Sequence, residues 1–132
     1  MSQDQDTIEI LWTAGDAKFF QESYDFMKDN LNEQIFHFEE NYVSPGWTKT
    51  IPAALNALLR IKSHIQWLKE DLELDGGACT KVDPDRIQDL YDTTRNLVTI
   101  SKKEVFLPEF GWEIESECKE LQYRLLSLKH AG

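Results

Sequence analysis

The segment 51–74, IPAALNALLRIKSHIQWLKEDLEL, constrains the fold more than any other part of the chain. It is the longest apolar-rich stretch, and its large aliphatic residues recur at steps of three, four or seven, which places them on one side of an α-helix. A helix with one such stripe must bury it against other elements. The stripe consists of Leu55, Leu58, Ile65, Leu68 and Leu72.

Residues 16–42 predict a second long helix, because apolar residues again recur at steps of three and four. Its stripe consists of Phe20, Tyr24, Met27, Leu31, Ile35, Phe38 and Tyr42. Residues 43–49, which include Trp47, contain Ser-Pro-Gly and predict a loop. Thr50 is the predicted N-cap of the 51–74 helix, and the Gly76-Gly77 pair predicts its end.

Two further helices follow. Asp83 before Pro84 is a strong start signal, and the helix that it begins is expected to end near residues 101–103. Pro108 predicts the start of the last helix, unless Gly111 delays that start by one turn. The inner faces are predicted to contain Ile87, Leu90, Tyr91, Thr94, Leu97 and Val98 in the first of these, and Phe110, Ile114, Cys118, Leu121, Leu125 and Leu128 in the second.

The N-terminal segment is ambiguous between a helical turn and a short strand. Asp6 precedes Glu9 by three residues, as in a capping box, whereas residues 7–12 also tolerate a strand. We predict the helical turn because residues 78–82 look like a linker, so that no second strand is evident. The predicted fold is therefore all-α, a single domain over residues 1–132: an up-down four-helix bundle with a short N-terminal extension.

Charge is distributed unevenly along the chain. The formal net charge is −10, and residues 1–42 contain ten acidic and two basic side chains. Such a molecule repels phosphates and anionic lipid, which disfavours direct binding of nucleic acid or membrane and favours a basic protein partner. The acidic N-terminus is unlike a secretory signal, and no apolar run is long enough to span a membrane, so we expect a cytoplasmic protein.

The first long helix has an ordered set of acidic residues, which we term the acidic ridge: Glu22, Asp25, Asp29, Glu33 and Glu40. At 100° per residue the ridge lies opposite the apolar stripe. Phe36 occupies the position between Glu33 and Glu40, with Phe19 and Phe26 on the flank. Carboxylates that steer encounter and a ring that is desolvated on contact are suited to a basic partner protein. The ridge and Phe36 are thus the candidate partner-binding residues.

Two other interpretations of these residues remain open. The ridge can be an ordinary solvated face, with Phe36 covered by Ile8, Leu11 or Trp12 of a folded-back N-terminus. Alternatively, Phe19, Phe26 and Phe36 form a seam for self-association. The chain would then be a homodimer or larger oligomer, and not a monomer.

The residues predict no catalytic centre, cofactor or metal site. Glu33, His37 and Glu40 could hold one edge of a metal ion, but a di-iron bundle requires ligands from several helices, so a surface hydrogen bond is the preferred interpretation. Cys79 and Cys118 match no metal-ligand spacing and are expected to be reduced thiols, with Cys118 in the core. The tryptophans near element ends predict lids on the bundle, with a ligand pocket beneath Trp47 and Trp112 as the alternative.

Arg124 and His130 are separated by five residues near the end of the chain. This spacing on a helical bundle resembles the motif of HEPN ribonucleases, in which the pair acts on a 2′-hydroxyl and the scissile phosphate. That family usually has a polar residue after the arginine, whereas this chain has Leu125. The resemblance implies a ribonuclease that uses Arg124 and His130.

The leading hypothesis is a small acidic protein without enzymatic activity that docks on a basic protein and inhibits or adapts it. Immunity proteins, antitoxins and phage-encoded inhibitors share this size and sign of charge. A self-associating structural subunit is the first alternative, and the HEPN-like ribonuclease is the second.

Overall fold

A computed structural model describes residues 9–40 and 47–129, except for the side chains of 38–40 and 47–48. Four helices make up most of this part of the chain, together with a small two-stranded sheet. The elements in order are β1 (Ile10–Thr13), α1 (Ala14–Glu40), α2 (Trp47–Leu74), β2 (Cys79–Val82), α3 (Pro84–Ser101) and α4 (Pro108–Leu126). Four helices and a helical fold class are therefore confirmed, whereas the small sheet departs from an all-α fold.

Three of the predicted helix ends are confirmed by their local geometry. The carboxylate of Asp83 accepts a hydrogen bond from the backbone N–H of Asp85 at 2.8 Å, with Pro84 at the first helical position. α4 begins at Pro108. α2 ends before Gly76 and Gly77, which have φ angles of 94° and 90°. Because only glycine adopts such angles at low cost, this pair can reverse the chain toward β2.

The prediction of a helical turn at the N-terminus is wrong for the described residues. β1 is a strand that pairs antiparallel with β2, with Trp12 opposite Thr80. The sequence argument failed because it took residues 78–82 for a linker, although CTKV alternates exposed and buried side chains as a strand does. The capping box predicted at Asp6 lies outside the described residues.

A capping box does exist, seven residues further along the chain. The Thr13 hydroxyl accepts a hydrogen bond from the Asp16 backbone N–H at 3.2 Å, and the Asp16 carboxylate accepts one from the Thr13 N–H at 3.0 Å. Two N–H groups at the start of the helix are thereby satisfied. This reciprocal pair explains why α1 begins directly after β1, two residues earlier than predicted.

The start of α2 also differs from the prediction. The helix begins at Trp47, so Trp47 is the first helical residue and does not belong to a loop, and Thr50 is not the N-cap. Pro52 consequently lies inside the helix. Residues 41–46, which contain the predicted Ser-Pro-Gly turn, lie outside the described part of the chain.

The described members of the predicted apolar stripes form the core or pack against it, whereas the side chain of Phe38 and residue Tyr42 lie outside the described part. Among the described side chains the core contains Phe20, Met27, Leu31, Leu58, Ile65, Leu68, Ile87, Leu90, Leu97, Ile114, Cys118 and Leu121, with Ile35, Leu55, Tyr91, Val98 and Leu128 partly buried against it. Trp12 is fully buried as well, and its ring lies 5.2 Å from that of Phe20. The strand therefore contributes the largest side chain of the core.

Each helix contacts the next one in the sequence, and α1 also contacts α4. The Ser23 hydroxyl donates a hydrogen bond to Glu117 at 2.9 Å, and Gln34 accepts one from the Leu107 backbone N–H at 3.0 Å. No helix in residues 9–40 or 47–129 combines the length and apolar character that a membrane crossing requires.

Trp112 is exposed to 66% and therefore does not act as the lid that was predicted.

The burial of Trp12 and the exposure of Trp112 provide a test of the core. Trp12→Ala should lower the free energy of unfolding by about 3–5 kcal/mol, because it removes a buried indole and leaves a cavity. Trp112→Ala should leave it within about 0.5 kcal/mol. Urea unfolding followed by circular dichroism measures both, and equal losses would contradict the assignment of Trp12 to the core.

Candidate partner-binding surface

The acidic ridge lies on the outer face of α1. Glu22, Asp25, Asp29 and Glu33 are all exposed, whereas the stripe on the opposite face is buried. Glu40 is the last residue of α1, and its side chain is outside the described part. The helical spacing thus brings four of the five predicted carboxylates onto one solvent-facing side.

These four carboxylates have no cationic partner among the described side chains. The ion pairs found there join Arg60 to Asp89, Arg86 to Asp71, Lys102 to Glu115 and Arg124 to Asp16. Asp25 accepts a hydrogen bond from the neutral Gln21 side chain at 3.1 Å. The negative charge of the ridge is therefore not neutralised by nearby lysine or arginine side chains of the described chain.

Phe36 is exposed to 63%. It lies sixteen residues beyond Phe20, about 24 Å along the helix axis. Trp12 packs against Phe20, so Trp12 covers the other end of α1 and does not shield Phe36. Leu11 is likewise held at that end, where its N–H donates to the Lys129 carbonyl at 2.8 Å. Ile8, the third residue proposed to cover Phe36, lies outside the described residues.

The other two phenylalanines on the flank differ from each other. Phe26 is exposed to 44%, whereas Phe19 is partly buried. The Arg124 guanidinium lies over the Phe19 ring, 4.5 Å from its centroid, in cation–π geometry. Of these three phenylalanines, Phe26 and Phe36 therefore offer exposed aromatic surface near the ridge.

Arg124 belongs to a polar cluster that joins β1, α1 and α4. Its Nε donates to one carboxylate oxygen of Asp16 at 2.8 Å, while the other oxygen accepts from Thr13. Asp16 is buried, so this pair satisfies a charge that would otherwise be costly to desolvate. The sequence interpretation missed this role, although Thr13-x-x-Asp16 is itself a recognisable capping signal. His130, the second residue of the HEPN-like pair, lies outside the described residues.

His64 is the centre of a second polar cluster, between α2 and α3. Its side chain is buried, and its Nε2 lies 3.5 Å from a carboxylate oxygen of Asp89, which Arg60 also contacts at 3.3 Å. The Trp67 ring meets the His64 imidazole edge to face, and Arg86 lies over the same tryptophan. Burial lowers the pKa of His64, while the Asp89 carboxylate opposes that shift and the two arginines add to it.

No group of three potential metal ligands occurs within the described ranges. Cys118 is buried, as predicted, and its thiol lies 3.8 Å from the sulfur of Met27. Cys79 is exposed on β2, and both cysteines are free thiols. A cavity of about 470 Å³ borders Trp112. The side chain of Trp47 lies outside the described part, so the pocket beneath both tryptophans stays a prediction.

Comparisons with protein-family models, curated proteins and solved structures find no match for this chain. The assignment of a function therefore depends on the surface and the contacts described above.

The lowered pKa of His64 makes stability dependent on pH. The unfolded chain takes up a proton near pH 6.5, whereas the folded chain resists it, so the unfolded state binds more protons as the pH falls. The contribution of His64 to stability should be present above pH 6.5 and decrease below it. Urea unfolding at pH 7.5 and 5.5 should show a smaller pH dependence for His64→Gln than for the wild type. An unchanged pH dependence in His64→Gln would contradict the prediction.

The two thiols should react very differently. Burial raises the pKa of Cys118 to about 12, so its thiolate is scarce near neutral pH, whereas Cys79 is open to solvent. At pH 8 a disulfide reagent should modify Cys79 in the folded protein and both cysteines in urea. Mass spectrometry of the labelled peptides checks this, and rapid labelling of Cys118 in the folded protein would contradict the described core.

Proposed function

We propose that this chain is a small acidic binding protein, without catalytic activity of its own, that docks on a basic protein through the outer face of α1 and inhibits or adapts it. The observation that carries the proposal is an exposed row of four carboxylates with no cationic partner among the described side chains, next to the exposed ring of Phe36. Exposed carboxylates that no intramolecular pair neutralises are free to meet lysine and arginine side chains of a partner.

The two parts of this surface have different physical tasks. Unscreened carboxylates raise the rate of encounter with a cationic surface, and this effect weakens as salt is added. The phenylalanine ring contributes affinity once water is excluded around it, as central aromatic residues do in interfaces. The net charge of −8 on residues 1–42 adds a long-range attraction for the same basic partner.

The proposal includes the up-down order of the helices, which makes α1 a long straight edge of the bundle. The cross-helix contacts support that order. Asp16 near the start of α1 contacts Arg124 near the end of α4, Ser23 contacts Glu117, and Gln34 near the end of α1 contacts Leu107 just before α4. Residues further along α1 therefore contact residues further back along α4, so the two helices run antiparallel.

Self-association through the aromatic flank is the alternative that a specific observation favours, since Phe26 and Phe36 are both exposed. The partial burial of Phe19 beneath Arg124 weakens it. A dimer in sedimentation experiments that dissociates with Phe36→Ala would support this alternative. The HEPN-like ribonuclease stays a prediction, and the engagement of Arg124 by Asp16 does not favour it.

Charge reversal on the ridge tests the proposal. Asp25→Lys, Asp29→Lys and Glu33→Lys together should abolish capture of a basic partner while helicity and melting temperature stay nearly unchanged, because all three side chains are exposed. The wild type and the triple variant are immobilised, exposed to native lysate at low and high salt, and the bound proteins are identified by mass spectrometry. The partner should bind the wild type at low salt and be lost at high salt.

A matched control separates the ridge from net charge alone. Glu104→Lys, Glu113→Lys and Glu120→Lys change the total charge by the same amount at three exposed positions outside α1. This control should retain the partner. Equal capture by all three proteins, or equal loss in both triple variants, would contradict the assignment of binding to the ridge.

A further inference from the structure

The outer face of α2 carries large apolar side chains that no described part of the chain covers. Leu59, Trp67 and Leu74 are exposed to 58%, 49% and 84%. Their spacing of eight and seven residues puts them on one side of the helix, opposite the buried stripe that contains Leu58 and Leu68. A helix that faces only water does not need this row, so the face is suited to a partner.

This face also contains a depression near the middle of α2. Residues Asn56, Leu59, Arg60 and Ser63 have the i, i+3, i+4, i+7 spacing of a hole that accepts one side chain from a facing helix. They line a cavity of about 350 Å³, whose wall is completed by His64, Trp67 and Asp89. Leu74, the most exposed apolar residue of the described chain, stands at the other end of the same face.

The hole and Leu74 are placed symmetrically about Trp67. The centre of the hole lies about seven residues before Trp67, and Leu74 lies seven residues after it. If a second copy of α2 runs antiparallel with Trp67 near the two-fold axis, Leu74 of each copy reaches the hole of the other. Both contacts form at once, which is the requirement for a closed, isologous pair.

The charges along α2 fit the same arrangement. Arg60 and Lys62 lie before Trp67, whereas Glu70, Asp71 and Glu73 follow it together with one basic residue, Lys69. Arg60 and Asp71 already pair with Asp89 and Arg86 within the chain, so the pair open to a second copy is Lys62 with Glu73, which antiparallel pairing brings together. Parallel pairing would instead place like charges together, so the charge pattern selects the antiparallel orientation.

We propose that the chain forms a symmetric dimer through the outer faces of two antiparallel α2 helices, with Leu74 of each copy in the Asn56–Leu59–Arg60–Ser63 hole of the other and Trp67 at the axis. One helix per copy buries less than the roughly 800 Å² per partner of a standard interface, so the dimer is weak and depends on concentration. It uses none of the residues of the acidic ridge and is independent of the proposed function.

Sedimentation velocity over micromolar to millimolar concentrations tests the dimer. The wild type should shift from monomer to dimer as concentration rises, and Leu74→Ala should weaken dimerisation about tenfold, because it removes the apolar side chain that fills the hole. Leu126→Ala is the matched control, since Leu126 is also the last residue of its helix and is exposed to 72%. This control should dimerise as the wild type does.

A charge exchange tests the orientation. Lys62 and Glu73 are exposed and form no ion pair with described side chains, so changing them leaves intramolecular pairs intact. Lys62→Glu alone and Glu73→Lys alone should each weaken the dimer, because each creates a like-charge pair across the interface. The double variant exchanges the two charges and should recover the wild-type dissociation constant.

A wild-type chain that remains monomeric at millimolar concentration would overturn the proposal, even if the same face captured a different protein. Equal weakening by Leu74→Ala and Leu126→Ala would place the interface elsewhere. A dimer that is lost with Phe36→Ala and unaffected by Leu74→Ala would assign self-association to α1. If the double variant dimerises as weakly as either single variant, the antiparallel register is excluded.

Discussion

The burial of one apolar stripe from each helix is the constraint on which the rest of this structure depends. A chain of 132 residues has a small core, so the apolar stripe of α2 is buried only by the neighbouring helices, and their stripes are buried in turn by α2. β1 completes this interior by inserting Trp12 beside Phe20. The outer faces are consequently free to vary, and both candidate interfaces lie on them.

A small number of polar contacts determines where the elements begin and how they join. Asp16 satisfies Thr13 at the start of α1 and Arg124 on α4 with one carboxylate, so the strand, the first helix and the last helix meet at a single side chain. The two kinds of interaction act differently. Apolar burial in the core stabilises the fold but does not depend on orientation, whereas the hydrogen bonds to Asp16 require defined distances and angles.

Much of the helical architecture could be predicted because its signals are local. Asp83-Pro84 and Gly76-Gly77 act through their own backbone preferences, and the stripes follow from periodicity. The sheet could not be predicted in this way, because β1 and β2 are each four residues long and the segment of β2 alone resembles a linker. The exposure of the acidic ridge was predicted from residue spacing. The contacts of Arg124 with Asp16 and Phe19 could not be predicted in this way, because they join residues that are far apart in the sequence. The apolar row on α2 was overlooked for a related reason, since a leucine at the end of a helix shows its exposure only once the bundle is assembled.

The two-stranded sheet has a consequence for the order in which the chain folds. Thr13 pairs with Cys79, sixty-six positions later, so β1 finds its partner only after the whole of α1 and α2 has been synthesised. Contacts between such distant positions require closure of a long loop and tend to form late. The pairing that holds β1, and with it Trp12, in the folded structure therefore depends on residues 79–82, which are synthesised after both long helices.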